Sequence, residues 1–204
     1  TPAVRLEELD IIHVGQYGIF SDPSTEGLVV RHVRFVDGTE GEAARENPAF
    51  IHGRGDNARA WRHKLLVQDN DFGTYVMRSS GAFALTLFDA GESLIENNQL
   101  RLGATTGGFN DKDNSQHNVY RENYIEFSEA NRTSSGIQVM GQDNAEDVHI
   151  HHNLLINAGI NLGIQCFQET CSMRDHHMHH NTLVRGWVTM NYGPFNPTSF
   201  GTSI

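Results

Sequence analysis

Cysteine is nearly absent: Cys166 and Cys171 are the only two in 204 residues. A disulfide framework of the kind that holds small secreted domains together is therefore excluded. One short bridge in an oxidising compartment and two free thiols both stay open. Proline is scarce, at five against twenty glycines. Basic residues are outnumbered, 15 Lys and Arg against 25 Asp and Glu, giving a formal net charge of −10. Phosphate contacts need basic surface, so nucleic acid is not an expected partner. No apolar run approaches the roughly 20 residues of a membrane helix, so no membrane span is expected. No signal peptide is visible at Thr1. The chain then reads as mature or cytoplasmic, and its expected location is secreted, periplasmic or cell-surface. Helical patterning is missing as well. Apolar runs are short, alternate with period two, and are cut by Gly, Asn and Asp.

What the chain does contain is a repeat. The segments VVRHVRF, LVQDNDF, LIENNQL, VYRENYI, HIHHNLL and HMHHNTL end at Phe35, Phe72, Leu100, Ile125, Leu155 and Leu183. Their equivalent polar positions are taken as His32, Asn70, Asn98, Asn123, Asn153 and Asn181, with Leu9 in a weaker first copy. Self-similarity at such a spacing specifies a solenoid. Alternating apolar residues exclude helical repeats, and the leucine-rich frame is absent. The expected fold is all-β: a right-handed parallel β-helix of about seven coils, one domain over 1–204. The ends show no clear caps, so further coils or a capping partner are expected there, and the chain is read equally as a fragment of a longer one.

Five Asn in register imply a ladder of stacked amides at a corner between strands. The Asn itself is expected to take the left-handed corner conformation. Inward residues should stack coil on coil, with Ile137 and Val139 beneath Ile164 and Cys166, followed by Val188 and Met190. The pattern resembles the right-handed parallel β-helices of the pectate-lyase-like superfamily, with their Asn ladders, over essentially the whole chain.

Chemistry is expected on the strand that opens each coil, whose outward residues form columns. Asn110, Gln138, Gln165 and Thr189 make a polar stripe suited to an extended sugar chain. Lys112 projects at a strand end between Asp111 and Asp113. In a polysaccharide lyase a Lys or Arg removes the proton beside a uronate carboxyl group, and a cation neutralises that carboxylate. Asp111 and Asp113, with Asn114 and Asp143, are alternatively oxygen ligands for calcium, the one expected cofactor. A simple exposed turn with a salt bridge is the plainer reading of this segment.

From Lys112 the sequence KDNSQHNVYRENYI resembles the Lys-bearing coil of the alginate-lyase and chondroitin-lyase β-helix family. The resemblance implies β-elimination with Lys112 as base. That family carries an Arg one coil later and acidic calcium ligands before the Lys. Here the corresponding positions hold Gln138 and Met140, and Thr105, Thr106, Gly107 and Gly108. Arg54, Arg132 and His52 are the remaining candidates for the positive charge. Trp61, in a loop over 55–62, offers a sugar-stacking platform, and Trp187 fits a cap on the core.

His149, His151, His177 and His179 are expected to face outward in two stacked rows. They can bind zinc or copper, or simply decorate the strand. His152 and His180, beside the ladder, are read as structural. The leading functional expectation is a lyase acting on an acidic polysaccharide. The alternative is a non-catalytic module for glycan binding, adhesion or surface architecture.

Overall fold

The computed structural model describes residues 4–25, 27–39, 48–55, 64–76, 82–102, 107–129, 134–141, 144–164, 172–192 and 200–203. These residues form a parallel β-solenoid with nearly no helix, built from three long sheets. Each turn of chain contributes one short strand to each sheet, and every strand pairs in parallel with the strand one turn away.

The first sheet stacks Val4–Glu7, Gly27–Arg31, Lys64–Gln68, Leu94–Glu96, Val119–Arg121, His149–His151 and Ser172–His179. The long last strand also pairs with Asn144–Glu146 and with Phe200–Ser203. The second sheet runs from Asp10–Ile11 through Arg34–Thr39, Asp71–Val76, Gln99–Leu102, Tyr124–Phe127 and Leu154–Ile156 to Thr182–Val184. The third runs from Tyr17–Ser21 through Ala49–Arg54, Phe83–Phe88, Gly107–Lys112, Ser135–Gly141 and Gly159–Ile164 to Val188–Tyr192. The coil number differs slightly from the expected seven: about five turns are covered by another turn on both sides, and the first and last rungs are ends.

Alternation along each strand sends every second side chain into a narrow core. In the second sheet Phe35, Phe72, Leu100, Ile125 and Leu155 form one fully buried column. The Phe35 and Phe72 rings stack with centroids 4.7 Å apart and planes 7° from parallel. In the first sheet the column is Val30, Val67, Ile95, Tyr120 and Ile150. Each such side chain stabilises the fold by about 1.5–3 kcal/mol relative to exposure. That sum explains how thin coils hold together without a bulky core.

The Asn ladder is present. Asn70 Nδ2 donates to Asn98 Oδ1 at 2.9 Å, and the same link repeats from Asn98 to Asn123, Asn123 to Asn153 and Asn153 to Asn181. Each Nδ2 also donates to a backbone carbonyl of the preceding coil, Val67 O for Asn98 and Ile95 O for Asn123. Two expectations need correction. The first ladder position is Val33, not His32: the Val33 N–H donates to Asn70 Oδ1 at 3.0 Å. The left-handed residue is the one before each ladder position, namely His32, Asp69, Asn97, Glu122, His152 and His180, with φ between 51° and 57°. That residue turns the chain, and the Asn then points inward and hydrogen-bonds. His152 and His180 are therefore exposed corner residues.

A second, mixed ladder closes the other end of the first sheet. Ser93 Oγ accepts from Leu65 N, Asn118 Oδ1 from Ser93 N, and His176 Nδ1 from Val148 N. His176 thus stands as an inward imidazole, where burial pushes its pKa down to about 4 and keeps it neutral.

The expected stacking of the penultimate coil also shifts. Ile137 and Val139 sit against Ile160 and Leu162, and these against Val188 and Met190. The strand begins soon after Asn157, whose left-handed backbone turns the corner there. Trp187 packs over Gly159, where any Cβ would collide with the indole. That packing agrees with a capping role.

Candidate functional site

The outer face of the third sheet carries two parallel rows. Strand register aligns Phe20, His52, Thr86, Asn110, Gln138, Asn161 and Thr189 in the first. It aligns Arg54, Phe88, Lys112, Met140 and Gly163 in the second. The residues between them point inward: Leu87, Asp111, Val139 and Leu162 make one core column.

Thr86, Asn110 and His52 are buried although they face away from the core. Gln138 Nε2 donates to Asn110 Oδ1 at 3.2 Å, and Asn161 Nδ2 lies 3.5 Å from Gln138 Oε1. Thr86 Oγ1 and Asn110 Nδ2 have no hydrogen-bond partner among the described residues. Buried polar atoms without partners are uncommon and costly. Both atoms lie beneath the surface, so the accessible amides of this row are those of Gln138 and Asn161.

Towards the N-terminal coils the face becomes aromatic. His52 packs against Tyr17, Phe20 and Phe88, with centroid separations of 4.6, 5.4 and 5.3 Å. Phe20 is half exposed. Lys112 Nζ stands 5.4 Å from the Phe88 ring centroid, within reach of the ring's negative face. Burial lowers the Lys112 pKa, opposed in part by the Asp113 carboxylate. A Lys so placed releases its proton more readily than an ordinary surface Lys, which is what a general base requires.

The structure brings Lys112, Asn110, Gln138 and His52 onto one face, with Arg54 in the Lys112 row. Phe88 lies between Arg54 and Lys112, so those strand positions are two rungs apart, about 9.6 Å by strand spacing. Asp111 is elsewhere. It is fully buried on the core side, where Ser115 Oγ, Asn118 Nδ2 and Tyr120 OH all donate to it. Burial pushes its pKa up to about 6 despite those three donors. Asp113 occupies a left-handed turn after the strand, with φ 65°. The Asp113 carboxylate is close enough to raise the Asp111 pKa further. Trp61, Arg132, Asp143 and Gln165 lie outside the described residues, as do Cys166 and Cys171. The residue stacked on Gln138 is Asn161.

Sequence reasoning missed Phe88 and Asn161. A signal for Asn161 existed: LINAGIN (155–161) aligns without a gap to LVRGWVT (183–189), placing Asn161 under Thr189. Phe88 aligns with Lys112 only once the register of the strand before it is known, and that register follows a long connection. No protein-family model, no curated protein and no solved structure matches the chain.

Proposed function

We propose that the outer face of the third sheet binds an acidic, uronate-containing polysaccharide and cleaves it by β-elimination, with Lys112 as the base. The observation that carries this reading is Lys112 itself. It is half-buried against Phe88, its pKa is lowered, and it projects beside a row of amides and hydroxyls repeated at the strand spacing. Such a row supports an extended glycan, because successive sugars can take hydrogen bonds from successive rungs. Gln138 and Asn161 supply subsite contacts, Asn110 holds the Gln138 amide from beneath, and the Phe20 ring supplies an exposed apolar platform. In the reaction the Lys112 amine takes the proton next to the uronate carboxylate. The C–H electron pair forms the new double bond, and the glycosidic oxygen leaves. Arg54 is the cation in the same row, placed to hold a neighbouring carboxylate.

A second reading is favoured by a specific observation: the rung neighbours of Lys112 are Phe88 and Met140, not a cation. With no cation on either adjacent rung of that row among the described residues, the same face works as a non-catalytic glycan-binding surface. Incubation with a panel of uronate polymers separates the two. The lyase reading expects an ultraviolet-absorbing unsaturated product that disappears in Lys112→Ala. Binding without product supports the second reading, and product formation unaffected by Lys112→Ala overturns the assignment of the base.

A further inference from the structure

On a different sheet, three ligand-type side chains converge. We infer that Asp147, His149 and His177 form a binding site for a borderline divalent transition metal of the zinc class, with His117 positioning the carboxylate.

The placement follows from the coil geometry. His149 and His177 are register partners on adjacent rungs of the first sheet, both pointing outward, with ring centroids 4.7 Å apart. Asp147 occupies the left-handed corner just before the His149 strand, at φ 52°. That corner turns its carboxylate along the strand edge towards both rings. Asp147 Oδ1 lies 2.8 Å from His149 Nε2 and 4.0 Å from His177 Nε2. One donor atom from each of the three residues lies within 4.8 Å of the others. Tetrahedral ligands at zinc bond lengths stand about 3.4 Å apart. The two carboxylate-to-imidazole separations bracket that value, and small side-chain rotations bring the three donors to it.

The surroundings supply the orienting contact that metal-binding carboxylates use. His117, one rung earlier, holds the other oxygen, with Nδ1 at 2.7 Å from Asp147 Oδ2. The backbone around the group is fixed by ladder bonds, Asp147 N to Arg174 O and His177 N to Val148 O. Two imidazoles and one carboxylate suit zinc, cobalt or nickel better than calcium or magnesium, which take all-oxygen shells. Three protein ligands leave a further position for water.

Two other histidine pairs lie on the same sheet and serve as internal controls. His151 Nδ1 is 2.8 Å from His152 Nδ1, and His179 Nδ1 is 2.8 Å from His180 Nδ1. Each pair offers two nitrogens and no carboxylate, so each should bind metal more weakly than the Asp147 group.

The test is a titration of the untagged protein with Co²⁺ followed by visible absorption, with Zn²⁺ as competitor. The expected result is one tight equivalent with tetrahedral ligand-field bands, displaced by Zn²⁺. Asp147→Asn, His149→Gln and His177→Gln should each weaken it by at least about tenfold, and His117→Gln by about tenfold. The double variant His151→Gln with His179→Gln should leave it unchanged. His177 is 42% exposed, so its replacement does not threaten the fold. As a second readout, Zn²⁺ should raise the melting temperature of the native protein and not of His177→Gln, because a ligand of the folded state stabilises it. Affinity unchanged in the Asp147, His149 and His177 variants, or lost only in the His151 and His179 double variant, overturns the assignment.

Discussion

Asn123 Oδ1 accepts two hydrogen bonds from Asn98, one from its backbone N–H at 3.1 Å and one from its Nδ2 at 3.0 Å. Asn123 in turn donates to Asn153 Oδ1 and to Ile95 O, both at 2.9 Å. One buried amide therefore ties three coils together.

Removing that amide should be costly. Asn123→Ala leaves the Asn98 N–H and the Ile95 carbonyl short of partners inside the coil, at about 1–3 kcal/mol for each buried group left unsatisfied. The expected loss is roughly 3 kcal/mol, read from the denaturant midpoint. Asn181→Ala should cost less, about 1 kcal/mol, because Asn181 is only partly buried and terminates the described ladder.

The fold was legible because the Asn column is stated once per coil by the residues themselves. Lys112, Asn110 and Gln138 were placed on one outer face by alternation alone, and the structure agrees. The errors came where alternation gives no answer. His32 and Val33 are neighbours: the ungapped alignment of VVRHVRF with LVQDNDF sets Val33 against Asn70, but polarity favours His32 in its place, and the hydrogen bond from Val33 N–H to Asn70 corrects it. Gln165 enters the stripe when GIQCF is read as the opening strand and AGINL as the return, whereas the corner at Asn157 starts that strand earlier and brings Asn161 onto Gln138. Asp111 runs against the rule that charged residues face water. Nothing local in the sequence announces that Ser115, Asn118 and Tyr120 will meet it inside.

Asp111 and His176 make opposing contributions to stability in acid. The buried Asp111 carboxyl titrates near 6 in the fold, above its ordinary 3.8, so the native state gains a proton first and is favoured as pH falls from about 6 to about 4. The His176 ring titrates near 4 in the fold, below its ordinary 6.5, so the unfolded chain gains the proton first and native stability is lost over nearly the same window. Each effect is of order 3 kcal/mol, and the two largely cancel. Asp111→Asn should therefore make stability fall on acidification from pH 6.5 to 4. His176→Asn should make it rise. Denaturation midpoints across that range check both signs.

The Phe88 ring lies against Lys112, and burial is the larger influence holding the Lys112 pKa down. Phe88→Ala opens the ammonium to water and should move that pKa back up towards its ordinary 10.5, the lost attraction of the ring face for the ammonium acting the other way and more weakly. Lysine side-chain NMR titration reads this directly. If Lys112 is the base, the same variant shifts the alkaline rise of activity to higher pH.

The outer face of the third sheet, and not either of the others, should meet the glycan. The decisive measurement is backbone and side-chain NMR of the labelled protein titrated with a defined uronate oligosaccharide. Shifts confined to Phe20, His52, Thr86, Phe88, Asn110, Lys112, Gln138 and Asn161 are the expected result, with the outer faces of the other two sheets unmoved. Shifts centred on either of those sheets, or none with any uronate oligomer at millimolar concentration, contradict it.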